Sequence, residues 1–156
     1  MKQKGINRIV VGVWDFEKGK QYFEKLLGAE FAPESQDGEA AAFGVRVAMA
    51  AWESGIELVS PLPGVQSPIR DEMEKNGEGI KGVVFAVDDA DYAMSQGSAL
   101  GLQSHYDLDY DEHQINSKCQ GRFTKYKEYF ISAPDPLNTT LLLGEFKEKS
   151  QKGSSA

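Results

Sequence analysis

Residues 6–28 read INRIVVGVWDFEKGKQYFEKLLG. The opening run, Ile6 to Val13, is apolar and rich in β-branched residues, which predicts a strand. Asp15 follows as a helix N-cap. Phe16, Phe23, Leu26 and Leu27 then recur at helical spacing, and Gly28 ends the helix. The same pattern returns at residues 82–101, GVVFAVDDADYAMSQGSALG. Gly82 to Val87 predicts a second strand, Asp88-Asp89 stands where the first copy has Trp14-Asp15, and a helix with Tyr92, Ala93, Gln96 and Leu100 ends at Gly101. RIVVGVWD and GVVFAVDD are offset by 74 residues. A strand–helix unit used twice is the signature of an internal duplication.

The stretches that follow each copy extend it. After the first, Glu30 to Phe31 suits one short strand, and Glu34 to Gly38 is polar and turn-like. Phe43 to Trp52 and Gly55 to Ser60 predict two strands joined by a tight turn at Glu53-Ser54. After the second, a polar insertion leads to two strand-like runs, Lys127 to Ser132 and Thr139 to Gly144. The closing strands, IEL (56–58) and LLG (142–144), are offset by 86 residues, so 12 extra residues fall around Tyr106 to Gly121. Between the copies, Ser67-Pro68 opens a connector helix that stops at Asn76-Gly77. The layout is one domain over residues 1–146: module one at about 5–62, a connector at about 67–76 and module two at about 79–146. The tail, 147–156, is polar and expected to be disordered.

Composition narrows the function. The chain has 156 residues, 40% of them hydrophobic, which suits one well-packed domain. Its net charge of −7 argues against a nucleic-acid partner, which needs a basic footprint. The apolar runs are strand-sized, so no membrane partner is expected. No apolar leader is visible at the N-terminus, and one cysteine excludes an internal disulfide. Both fit a cytoplasmic protein.

The duplicated layout, with DFEKGKQYFEKLLG in the first half and PDP followed by TTLLLGEF at the close, resembles the vicinal oxygen chelate superfamily of glyoxalases, bleomycin-resistance proteins and extradiol dioxygenases. The resemblance covers residues 5 to 146. Within it, SPIRDEMEKNGEGIKGVVFAVDD is similar to methylmalonyl-CoA epimerases. The resemblance implies an α+β fold: two βαβββ modules whose sheets curl around a shared cavity. It also implies a metal site with one ligand, usually His, Gln or Glu, on each of four strands. Those positions fall here on Arg8, Glu57, Gly82 and Leu143, with Glu145 two residues further on. A guanidinium only donates hydrogen bonds and stays charged, and Gly82 and Leu143 offer no ligand atom. One carboxylate does not hold a transition metal, so neither metal nor other cofactor is expected.

In place of the metal, Arg8 and Glu57 form an expected ion pair lining the cavity. Arg8 can hold a ligand carboxylate or enolate oxygen, and Glu57 can orient Arg8 or move a proton. The structural alternative is a remnant pair that neutralises a buried carboxylate. Trp52, Tyr129 and Leu143 complete the expected ligand-binding set, and aromatic lining favours a planar ligand. Two functions lead, ahead of a third that keeps a metal recruited by Glu57, Glu145 and a histidine of the insertion. One is binding, and so sequestration, of a small carbonyl or carboxylate compound. The other is a metal-independent isomerase, epimerase or lyase with Arg8 and Glu57 as catalytic residues. A homodimer is expected, because short paired modules leave sheet edges to cover. The acidic run Asp107, Asp109, Asp111 and Glu112 lacks the glycine and glutamate of a calcium loop and reads as a solvated loop or lid. His105, His113 and Cys119 read as ordinary surface or half-buried side chains.

Overall fold

The computed structural model describes residues 3–34, 39–131 and 139–150. The chain has an α+β fold and divides into two compact units. One holds Arg8–Val83. The other holds the chain from Val84 onward together with the residues up to Asn7.

In the first unit, β1 (Gln3–Gly12) leads to α1 (Phe16–Leu27), a single turn α2 (Glu39–Ala42), β2 (Val45–Met49), a 3-10 turn (Trp52–Ser54), β3 (Ile56–Pro61) and α3 (Pro68–Asn76). The strand order is β2-β3-β1, with β1 parallel to β3 and β2 antiparallel to it. Phe31 adds an isolated bridge to Ala50, the expected short strand reduced to one residue. The caps are as read: Asp15 accepts the Lys18 N–H at 2.9 Å, and Gly28 ends α1 in the left-handed region at φ 65°. Phe16 and Phe23 of α1 pack on Ile9, Val11, Val13, Ala48 and Leu58. This cluster identifies which sheet face α1 covers. Glu34 begins the stretch read as a turn, and residues 35–38 lie outside the described residues.

In the second unit, β4 (Gly79–Val87) leads to α4 (Ala90–Ala99), β5 (Ser104–Asp109), α5 (Glu112–Lys118), β6 (Phe123–Ile131) and β7 (Thr140–Glu148). The order is β4-β7-β6-β5, and β6 runs antiparallel to both neighbours. Asp89 caps α4 as read, accepting the Tyr92 N–H at 2.8 Å. Here the structure corrects three expectations. The supposed insertion contains β5, the strand that completes the module, and the helix α5. Tyr106 and Leu108 alternate with His105, Asp107 and Asp109, and their burial alternates likewise. Both acids of β5, Asp107 and Asp109, stand on its exposed face, where Asp109 meets lysines. Secondly, β7 runs on to Glu148, so the first two residues of the expected disordered tail are strand. Thirdly, the closing strands of the two modules differ in phase by one residue from the offset of 86, which moves the site residues as described below. Ser132 and the PDP stretch at 134–136 lie outside the described residues, as do 151–156.

Candidate functional site

Strand alternation decides what shares a face. In the first unit Ile9, Val11 and Leu58 lie against α1, so Arg8, Val10 and Glu57 lie on the opposite face. The register pairs Val10 with Glu57. Arg8 Nε donates to Glu57 Oε2 at 2.5 Å, with the side chains 4% and 16% exposed. Arginine stays protonated in proteins, and burying it unpaired costs several kcal/mol, so this carboxylate serves it as a counter-charge. Removing one partner of such a pair typically costs ~3–5 kcal/mol, much of it from the charge left behind.

The end of the same sheet is closed by α3. Gly12 sits where any larger residue meets Lys81 Cγ at 2.9 Å and Met73 Sδ at 3.0 Å. Met73 is buried, and Lys81, itself 8% exposed, pairs with Glu72 at 3.0 Å. Trp52 lies in the 3-10 turn between β2 and β3, half-buried. On the α1 side, Arg46 grips both Glu34 oxygens at 2.5 and 2.8 Å, reaches Glu17 at 2.9 Å, and stacks over Phe16 at 4.2 Å. Glu34 foremost, with Glu17, holds this guanidinium above its ordinary value. This cluster ties α1 to β2.

In the second unit, Tyr129 and Leu143 pack on Val87, Ala90 and Ala93, beneath α4. They are cross-strand partners. Glu57 faces away from its module's helix, whereas Leu143 faces toward its own, so Leu143 is not the counterpart of Glu57. The counterpart position falls one residue to either side, on Leu142 or Gly144. The run Leu141-Leu142-Leu143 is uniformly apolar and fixes no phase, and a one-residue slip exchanges faces. Tyr129 donates its hydroxyl to Asp91 at 2.5 Å, and Lys127 meets Asp91 at 2.6 Å and Asp109 at 3.3 Å. Lys127 foremost, then Tyr129, holds the Asp91 carboxyl below its ordinary value. The Asp91 hydrogen bond and burial in turn push Tyr129 up. Glu145, the fallback ligand, is buried too. It accepts the Ala90 N–H at 3.0 Å and pairs with Lys147 at 2.6 Å, so it secures the start of α4.

The remaining candidates have local duties. Asp109 pairs with Lys125 at 2.6 Å. Asp111 forms a capping box with Gln114 on α5. His105 is exposed and meets Phe130 edge-on at 6.3 Å. His113 is exposed on α5, and Cys119 is its half-buried C-cap. One buried acid escaped the sequence reading. Glu128 of β6 is 2% exposed and, by alternation from Tyr129, faces away from α4. It lies inside KEYFIS, a run apolar on both faces, where only the ionisable residue itself marks the position.

The donor set does not fit the metal of the vicinal oxygen chelate proteins. At the four expected positions stand a guanidinium already bonded to the one carboxylate, a glycine, and a leucine committed to a helix-side core. Among the described residues no three His, Cys, Asp or Glu side chains are grouped to hold a metal ion.

No family model matches the sequence, and no curated protein matches it. Solved structures do. Methylmalonyl-CoA epimerase from Mycobacterium tuberculosis superposes with a TM-score of 0.67 at 22% identity, over 92% of this chain and 88% of that one. A hypothetical protein from Bacillus halodurans gives 0.71 at 18%, over 97% and 99%. A methylmalonyl-CoA epimerase bound to methylmalonyl-CoA and ammonium gives 0.69 at 18%, over 92% and 95%. The chain has the glyoxalase-like fold. At this identity the likeness shows the fold alone and no activity. Among the described residues no helix is long and apolar enough to cross a membrane.

Proposed function

We propose that the protein binds a small carbonyl or carboxylate compound without a metal, with the Arg8 guanidinium as the anion holder. The observation that carries this reading is Arg8 itself: 4% exposed, fixed at 2.5 Å by Glu57, on the face its module's helix leaves uncovered. A planar fork with five N–H donors suits a carboxylate or enolate oxygen, and one engaged through Nε keeps its orientation. Sequestration needs no more than this. The ligand acts in the cytoplasm in this reading, and the protein works as a homodimer.

The test is calorimetric titration with small 2-oxo acids and dicarboxylates in the presence of a chelator. The reading expects saturable binding that falls at least about tenfold in Arg8→Gln and partly recovers in Arg8→Lys, since the charge returns without the fork. Binding that needs an added divalent ion, or that ignores Arg8, overturns it.

A second reading is a metal-independent epimerase or related isomerase. It takes its reaction from structural neighbours described as methylmalonyl-CoA epimerases, whose likeness to this chain is one of fold. Here Glu57 takes the α-proton, Arg8 steadies the enolate oxygen, a solvent water adds a proton on the opposite face, and Glu57 releases its own proton to water. Exchange of the α-proton of methylmalonyl-CoA with deuterated solvent is the direct assay. Glu57→Gln then lowers the rate by about two to four orders of magnitude. An exchange rate equal to buffer alone leaves sequestration as the function.

A further inference from the structure

The outward face of α1 carries more apolar surface than the fold uses. Phe16 and Phe23 supply the side that packs on the sheet. Tyr22 and Leu26 stand one turn apart on the other side, 64% and 63% exposed. Lys18, Gln21 and Lys25 lie beside them at helical spacing, all exposed. These side chains line a shallow cleft of about 380 Å³ along the helix. The Tyr22 ring is steadied by Phe23, which it meets edge-on at 6.0 Å. Glu17, an acid of the same helix, is taken by Arg46 at 2.9 Å. Among the described residues no carboxylate lines the cleft.

Single exposed apolar side chains need no partner, but a tyrosine and a leucine side by side in a cleft mark a contact surface. Charge decides what it contacts. Two helices packed antiparallel through this stripe bring lysine against lysine, so a second copy is disfavoured here. An anionic bilayer attracts two lysines weakly and repels the rest of a chain at net −7. A cleft along one helix is too open for a small molecule, which ordinarily buries most of its surface. An acidic polypeptide fits both features. Lys18 and Lys25 are seven residues apart, which is two turns and about 10 Å along the axis. Carboxylates at the same spacing on a partner helix meet both lysines, and apolar side chains between them cover Tyr22 and Leu26. We propose that the outward face of α1 docks an acidic amphipathic helix of a partner protein, with Lys18 and Lys25 as the charged contacts and Tyr22 and Leu26 as the apolar ones. Arg8 and Glu57 lie on the sheet face away from α1, so this surface stands independently of the ligand site.

The test titrates the isotope-labelled chain with a synthetic peptide of about 16 residues, long enough to hold a helix. The peptide places glutamates seven residues apart around a leucine and a phenylalanine, and amide NMR reads the binding. The expected result is saturable shifts centred on α1. Binding is at least about fivefold weaker when glutamine replaces the peptide's glutamates, and weakens by a similar factor in the double variant Lys18→Gln with Lys25→Gln. Both lysines are exposed, and the amide spectrum of the variant confirms its fold. Leu26→Ser weakens binding of either peptide. No saturable binding, equal affinity for the two peptides, shifts centred away from α1, or unchanged affinity in the folded double variant overturns the proposal. So does sedimentation with phosphatidylserine vesicles that the double variant loses, which assigns the face to a lipid surface.

Discussion

At Arg8, β1 delivers a guanidinium to a position with 4% exposure, and only a fixed carboxylate makes that tolerable. Arg8→Leu leaves Glu57 half-desolvated, and Glu57→Gln takes a counter-charge away from the buried arginine. Each is therefore expected to lower stability by ~3 kcal/mol, while the double variant Arg8→Leu with Glu57→Leu loses less than their sum. Chemical denaturation of the four proteins checks this, and simple additivity contradicts a coupled pair. Asp91 supplies the pH test at this scale. Lys127 and Tyr129 hold its carboxyl low, so its contribution is complete above the unfolded value of 3.8 and is lost as pH falls through the folded one. Asp91→Asn is expected to be less stable than the wild type at neutral pH, with the gap closing in acid. A gap that widens in acid contradicts the assignment.

Among the elements, α1 and α4 were legible because their signals are local. Asp15 and Asp89 accept the N–H three residues on, and Gly28 takes the left-handed turn a helix stop requires. Asp15→Ala is expected to cost about 1 kcal/mol and Gly28→Ala a comparable amount, read from thermal unfolding. Leu58, fully buried between α1 and the sheet, tests the core: Leu58→Ala is expected to cost about 2–5 kcal/mol. A smaller loss means that α1 packs more loosely than the cluster indicates. What the sequence hid depends on non-local information. β5 was masked by its own acids, of which Asp109 serves Lys125 and Lys127 on the neighbouring strand. The phase of β7 was masked by three successive leucines. Arg8 and Glu57 were found together only through resemblance to a duplicated fold with known ligand positions, since 49 residues separate them. Glu128 was missed because a strand buried on both faces shows no alternation.

On the scale of the whole molecule, duplication explains the economy of the fold. Each unit has a helix covering one sheet face and ionisable residues on the other, Arg8 with Glu57 in the first and Glu128 in the second. With a net charge of −7, an anionic ligand of the proposed site is to be attracted locally by Arg8 and not by a general field. A homodimer is the expected assembly, and sedimentation at several concentrations checks it. The site proposed around Arg8 holds its ligand without a metal. Native mass spectrometry of gently purified protein tests this most directly, because it weighs bound metal and bound organic ligand together. The expected result is a metal-free chain carrying a small organic mass that Arg8→Gln loses. A stoichiometric divalent ion retained by the wild-type protein contradicts it.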